Sequence, residues 1–437
     1  MRLLRVSATV IVGLALTGNA RAETAWTLAA AVAQAMEASP EAGLAAARVQ
    51  AAQAGVAAAD AAGRPQLGLQ VSYLHTTSPM QAFGAILNQG TFNDQIDFNA
   101  PGQIDAFTAG LHARYTLYAG GRVAASRAAA RAASAAASQE AEAARRLLSL
   151  EVVRAYFQIR QARESVAALE SALASYDESL RVGRLREEAG QLLVSERLNL
   201  EVQRAQTAEQ LLGARHAAEL AARRFAFLLG LPPGTRATLA GNDSSPDRLA
   251  VVDPLIPHPR PELRALEERV EAAERQVRAA RAGRLPVVGT FASAQADRGW
   301  RRAGAGESWT AGIAAEVPLF DGAATRAGIS AAEAEALAAR ERLRQAELGF
   351  AFEWEQASLA HTLAREQLAV TEQVVAQAEE SARFSRQRFT AGTLLSAELI
   401  GVETRLAEAR VRRAAAAGQE RTSLAALRLA AGLPLFP

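Results

Sequence analysis

Few side chains in this sequence are grouped for chemistry. The five histidines, His75, His112, His216, His258 and His361, are scattered, with no HExxH pair and no cysteine to complete a metal site. Cysteine is absent, and every basic side chain is an arginine. A phosphate-binding Walker loop needs its lysine, as does Schiff-base chemistry, so both are excluded. No GxSxG elbow sets a nucleophile beside a base. The residues therefore offer no catalytic, cofactor-binding or metal-binding set, and a non-enzymatic role is expected.

The elements that could position a site begin with an export signal. Arg2 and Arg5 precede an apolar run from Val6 to Leu16, and Ala20-Arg21-Ala22 has the small-x-small pattern that a signal peptidase cuts. That run is too short to span a bilayer as a helix, which takes about 20 residues. Residues 1–22 are thus expected to leave, with the mature chain starting at Glu23. Three of the 48 basic residues go with the leader, which brings the basic side chains level with the 46 acidic ones. A near-neutral chain gives no support to nucleic-acid binding, which needs basic charge gathered on one face. Without cysteine the exported protein has no disulfides and no site for lipid attachment.

Alanine makes up roughly a quarter of the chain and aromatic residues only 5%, the profile of long helices with thin cores. An internal duplication organises them. Phe107-Thr-Ala-Gly-Leu111 returns as Trp309-Thr-Ala-Gly-Ile313, an offset that also brings Gly190 onto Gly392 and Glu196 onto Glu398. Gly230-Leu231-Pro232 likewise returns as Gly432-Leu433-Pro434. Upstream the match shifts (Pro40-Glu41 onto Pro261-Glu262), so the first copy holds an insertion between Tyr73 and Phe107. The expected segments are a first repeat over 23–232, a proline-rich joint over 233–260, and a second repeat over 261–437.

Each copy reads as helix, strand, strand, long helix, tight turn, helix. The strand patterns alternate: Leu67, Leu69, Val71 and Tyr73 share one face, and Phe107, Ala109, Leu111, Ala113, Tyr115 and Leu117 share another. Trp309, Ala311, Ile313, Ala315, Val317 and Leu319 do the same, whereas Val287 to Ala296 declares its face least clearly. Strands of about 9 to 11 residues, apolar outward and polar inward, are the mark of a transmembrane β-barrel. On its own the same alternation also fits a soluble sandwich with one wet face, which the export signal and the long helices disfavour. Leu67, Leu111, Tyr115, Ile313 and Val317 are accordingly expected to face lipid. Four strands cannot close in lipid, so other chains must complete the barrel; two copies would give eight strands and three would give twelve. Proline-free stretches from about Arg122 to Glu187 and from Thr325 to Phe389 predict two helices of about 95 Å. Phe352, Leu363 and Val374 recur every 11 positions, as do Leu348, Leu359 and Val370, which predicts straight or slightly right-handed staves. Shorter helices over Leu28–Ala62, Gln191–Leu229, Glu262–Gly283 and Thr393–Ala431 would run beside the long ones.

These residues resemble the TolC family of outer membrane efflux proteins over nearly all of the mature chain. The resemblance is carried by Trp26-Thr-Leu28, Ser39-Pro40-Glu41, Leu117-Tyr118-Ala-Gly-Gly121-Arg122 and Val317-Pro-Leu-Phe-Asp-Gly322. Arg388-Phe-Thr-Ala-Gly392-Thr-Leu-Leu-Ser-Ala-Glu398 and the Leu-Gly-Leu-Pro at 229–232 complete it. It implies a mainly α-helical barrel through the periplasm below a 12-stranded β-barrel in outer membrane lipid, built as a homotrimer. It also implies a passive efflux or secretion duct that docks to a periplasmic adaptor (membrane fusion) protein and an inner-membrane pump of RND, ABC or MFS type. The docking tips would be Gly190 with Leu193, and Gly392 with Thr393 and Leu395. Of two acidic gate residues beyond the second turn, this chain matches one, as Glu398 with Glu196 as its repeat counterpart, and has Gly401 at the other. The Tyr and Arg that brace the gate in the family fall on Phe389 and Leu394. A periplasmic adaptor or a structural helical-hairpin protein is the alternative reading. The inserted loop 76–106, with Asp94, Asp97 and Asp105, is expected outside the cell.

Overall fold

The computed structural model describes residues 25–240 and 259–435. The expected leader, residues 1–22, and most of the proline-rich joint lie outside the described residues. Strand β1 (Ala25–Trp26) leads into helix α1 (Leu28–Ala38), whose first turn is capped by the Thr27 hydroxyl accepting from the Ala30 amide. The single helix expected over 28–62 is broken at Ser39-Pro40. Ser39 is extended and Pro40 opens helix α2 (Pro40–Ala61), because proline suits a first helical position and has no amide with which to continue α1.

Strand β2 (Gln66–Thr76), helix α3 (Pro79–Asn88) and strand β3 (Ile104–Ala119) follow. The insertion is therefore not a plain loop. Ala82, Ala85 and Ile86 of α3 close on Ile104 and Ala106 in a small apolar core. Helix α4 (Arg122–Glu188) is 67 residues long, about 100 Å, and α5 (Val194–Leu228) returns beside it. A two-residue strand, β4 (Thr238–Leu239), pairs in parallel with β1, which no sequence pattern had signalled. The second copy runs α6 (Pro261–Arg281), β5 (Val287–Arg298), β6 (Ala305–Glu316), α7 (Ala324–Thr390) and α8 (Ser396–Ala430).

Strands and helices meet at matching sites in the two copies. Gly120 and Gly121 both take positive φ where β3 hands over to α4, and Gly322 and Ala323 repeat this before α7. All the long helices thus leave the sheet from one end. Helices α2 and α5 lie along α4, and α6 and α8 lie along α7, as the repeat predicts. However, α6 and α8 also pack against α4, which knits the copies together. The main core sits midway along the bundle, where α1, the middle of α4, and the ends of α5 and α8 bring Val152, Val153, Tyr156, Phe157, Phe225 and Leu229 together.

Candidate functional site

Two regions bear on function, the sheet and the helical tips. The sheet is antiparallel in the order β2-β3-β5-β6, and among the described residues no strand pairs with the outer edge of β2 or β6. Its register sorts the side chains. Leu69, Leu111, Ala294 and Trp309 stand in one row, next to Leu67, Ala113, Ala292 and Ala311. Tyr115, Thr290 and Ile313 continue the same face, since alternate residues point the same way. The opposite face carries Gly68, His112, Ser293 and Thr310, then Gln70, Gly110, Gln295 and Ser308. The strand least legible in sequence, β5, sets Ala292, Ala294 and Ala296 in phase with the apolar face, but its one aromatic residue, Phe291, stands on the opposite face between Arg114 and Gly312, which is why its pattern is weak.

Two strand expectations change. Leu117 is the extra residue at a β-bulge between Thr116 and Tyr118, so Tyr118 rather than Leu117 pairs with Val288 in the apolar row. Strand β6 ends at Glu316, so Val317 lies just past it. Pro318 cannot donate to a ladder and stops the pairing there. Val317 and Leu319 are exposed but are not strand residues. Asp105, expected in an external loop, is buried at the start of β3. Its carboxylate accepts from the amides of Trp300 and Arg301 at 3.0 and 2.8 Å, and so pins the β5–β6 turn.

At the far end of the helices, Gly190 and Gly392 each take positive φ (72° and 81°) in the turns between α4 and α5 and between α7 and α8. Side chains with a Cβ rarely adopt that backbone. Each turn closes with a bond from the residue after the glycine back to an arginine carbonyl: Gln191 N to Arg186 O, and Thr393 N to Arg388 O. The two leucines of each turn divide. Leu192 and Leu394 enter a core with Tyr176, Leu180, Leu200, Phe389 and Leu399, whereas Leu193 and Leu395 stay exposed, at 69% and 59%. Phe389 and Leu394, which the resemblance leads one to expect at gate-bracing positions, are part of this apolar core.

Glu398 is exposed in the first turn of α8 and makes no hydrogen bond or ion pair among the described residues. Glu196, its counterpart, reaches the other tip, where its Oε1 accepts from the Ser396 amide at 3.4 Å. The repeat-equivalent carboxylates therefore stand in different surroundings.

Three features were not foreseen from sequence. Arg186 joins the tips: its guanidinium donates to Phe389 O at 2.9 Å and Gln191 O at 3.2 Å and lies 5.2 Å from the Phe389 ring centre. Glu403, 1% exposed, receives a two-pronged bond from Arg386 at 2.5 and 2.8 Å, tying α8 to α7 behind the tip, and this partner raises the Arg386 pKa. Nearby, burial pushes the Tyr176 phenol up, while its hydroxyl shares a 3.0 Å hydrogen bond with Thr404. At mid-height the buried Arg260 meets Glu353 at 2.7 Å and Glu262 at 3.1 Å and lies 3.9 Å from the centre of the Phe350 ring. The repeat offset held a signal for the second: Arg386 and Glu403 fall on Arg184 and Glu201, which also pair, at 3.6 Å. Among the described residues no group of acidic or histidine side chains could hold a metal ion.

The outer membrane efflux protein family matches residues 31–231 and 258–433. No curated protein matches by sequence. Among solved structures, the chain resembles the outer membrane protein VceC of Vibrio cholerae at 21% identity, covering 93% of this chain and 96% of that one, with a TM-score of 0.76. It resembles the CmeC outer membrane channel of Campylobacter jejuni at 16% identity, covering 99% and 94%, with a TM-score of 0.79. The open-state MtrE outer membrane channel of Neisseria gonorrhoeae gives 19% identity, 94% and 89% coverage, and a TM-score of 0.71. At these identities the likenesses establish the fold, and the match that runs through both repeats establishes the lineage: this chain belongs to the outer membrane efflux protein family.

Proposed function

We propose that three copies of this chain form a passive exit duct, a 12-stranded barrel in the outer membrane continued by an α-helical barrel through the periplasm. The observation that carries this reading is a sheet whose two edges have no partner among the described residues, with one apolar and one mainly polar face, continuous at one end with helices about 100 Å long. Lipid cannot satisfy open strand edges, at a cost of several kcal/mol per group. Twelve strands would remove the edges and leave a polar interior for water and cargo. Helix α7 supports the same assembly, because Leu348, Phe352, Leu359, Leu363, Val370 and Val374 form an apolar stripe that the single chain leaves uncovered. A neighbouring copy is the partner such a stripe suits.

Residues 1–22 would direct export. The tips at Gly190, Leu193, Gly392, Thr393 and Leu395 would dock a periplasmic adaptor, with an inner-membrane pump of RND, ABC or MFS type supplying the energy. Glu398 would form a ring of three carboxylates at the narrow mouth, favouring cations over anions. Glu196 is placed less well for that ring, since it caps the neighbouring turn. With Phe389 and Leu394 in an apolar core, the tip would be held by packing and by Arg186 rather than by the family's Tyr and Arg links.

The test is electrophoresis of outer-membrane extract with and without boiling, followed by bilayer recording. A trimer-sized band that collapses only on boiling, and that conducts, is the expected result. A species that runs as a monomer without boiling and never conducts would overturn the reading.

A further inference from the structure

The end of the sheet away from the helices is built with more care than a surface hairpin needs. The β5–β6 turn is closed by a bond from Gly299 N to Gly304 O, and the buried Asp105 carboxylate takes the amides of Trp300 and Arg301. The buried Gln89 donates to Asp105 O at 2.8 Å and fills the space that a Cβ on Gly299 would occupy. This scaffold leaves the Trp300 side chain 59% exposed.

Trp300 does not lie free. Its ring sits 6.2 Å from that of Tyr73 and 5.9 Å from that of Phe107, two residues paired in register on the apolar face. Arg298 pairs with Phe107, so it stands on that face too. It is exposed and has no bonded partner among the described residues. Arg301 is exposed next to Trp300, while the third guanidinium, Arg302, is engaged with Pro101 O at 2.8 Å. Two acids lie near: Glu307 stands in the next apolar row on β6, opposite Ala296, and the Asp105 carboxylate, which accepts the two amides, also attracts Arg301 through its charge without a direct bond to the guanidinium.

Three aromatic rings beside two guanidinium groups that make no hydrogen bond or ion pair among the described residues, at the rim of an apolar band, match the chemistry of a lipid interface. Rings sit at the headgroup level, and arginine holds phosphate oxygens in a two-pronged grip. In a family of outer membrane proteins whose helices leave the other end of the sheet, this rim lies at the outer leaflet. We infer that Arg298 and Arg301, presented beside Tyr73, Phe107 and Trp300, bind the phosphates of an outer-leaflet phosphoglycolipid of the lipid A type. The inference rests on the apolar face being lipid-facing, as proposed above.

The test uses the full-length protein in detergent micelles, with lipid binding counted by native mass spectrometry. The probes are bis-phosphorylated lipid A, the same lipid without its phosphates, and inorganic phosphate as competitor. The phosphorylated lipid should bind roughly thirtyfold more tightly than the dephosphorylated one, as two cationic groups at a lipid surface would give. The double variant Arg298→Gln/Arg301→Gln should lose most of that preference and keep its trimer, whereas Arg284→Gln, at the helix end of the sheet, should retain it. Equal binding of the two lipids by a protein that inserts into vesicles and conducts would overturn this inference alone. So would full preference in the double variant, or displacement of the lipid by millimolar inorganic phosphate, which marks a free-anion site. Failure of the wild-type protein to insert at all would overturn both this inference and the duct.

Discussion

Placing an arginine at Leu111 tests the division of the sheet into two faces, because the next residue, His112, points the other way. Leu111 stands between Phe107 and Tyr115 on β3, four residues from each. At about 3.4 Å per residue, each ring is roughly 14 Å away along the strand, or about 10 Å along the membrane normal for a tilt near 40°. An apolar band about 25 Å tall therefore has Leu111 close to its middle. A cationic side chain there costs about 2–4 kcal/mol. In a trimer the three sites are far apart and their costs add, giving about 6–12 kcal/mol per assembly. That is of the order of the whole stability of many domains. Leu111→Arg should therefore remove most of the heat-modifiable species from outer-membrane extracts, while His112→Arg, among Gly68, Ser293 and Thr310, should leave its yield near wild type. The measurement is the ratio of unboiled trimer to boiled monomer at matched expression. Wild-type yield for Leu111→Arg, or loss confined to His112→Arg, would refute the assignment of faces.

Gly392→Val should strain the left-handed turn by about 1–2 kcal/mol, with the new side chain coming into contact with Arg186, whose Nη2 lies 3.4 Å from the position of a Cβ. Export in a reconstituted pump assay should fail while the trimer band persists, and normal export would remove the tip from the docking site. Glu398→Gln should abolish cation preference and divalent block in single-channel recordings, whereas Glu196→Gln should leave both unchanged and cost only a little stability. Unaltered selectivity in the first variant would end the gate assignment. Burial pushes the Glu262 pKa up, but its bonds and attraction to Arg260 outweigh that and hold it below the ordinary carboxylate value. A depressed carboxylate stabilises the fold above its unfolded pKa and loses that contribution as pH falls through the folded one. Acid titration should therefore weaken the wild-type helical bundle below the ordinary carboxylate range, and Glu262→Gln should flatten that limb by about 1 kcal/mol. Equal acid midpoints in thermal melts of the two proteins would contradict the account.

Much of this architecture was legible because it is periodic. A repeat of two in Leu67 to Tyr73 and Phe107 to Tyr115 fixes strands and faces, and an absence of proline over some 65 residues fixes the long helices. The matched glycines located both tips, since a turn with positive φ selects glycine by local sterics alone. The fine boundaries were less legible. The break at Ser39-Pro40 rests on a single proline, which can open a new helix as readily as it ends one, and the bulge at Leu117 depends on how β3 meets β5.

What stayed hidden depends on contacts between residues far apart in the chain. Nothing beside Asp105 in sequence shows that its carboxylate will find the amides of residues 300 and 301, or that Arg186 will reach the carbonyl of Phe389. Pairing of α6 and α8 with α4 as well as α7 arises from how two similar copies nest, because an alanine-rich helix has several faces that will accept a neighbour. Glu196 and Glu398 make the point most sharply. The duplication makes them equivalent, and local sequence gives each the same place in the first turn of a helix. Only the packing of one tip against the other turns Glu196 onto the Ser396 amide and leaves Glu398 exposed, because a pseudo-symmetric pair of turns in one chain need not have symmetric neighbours.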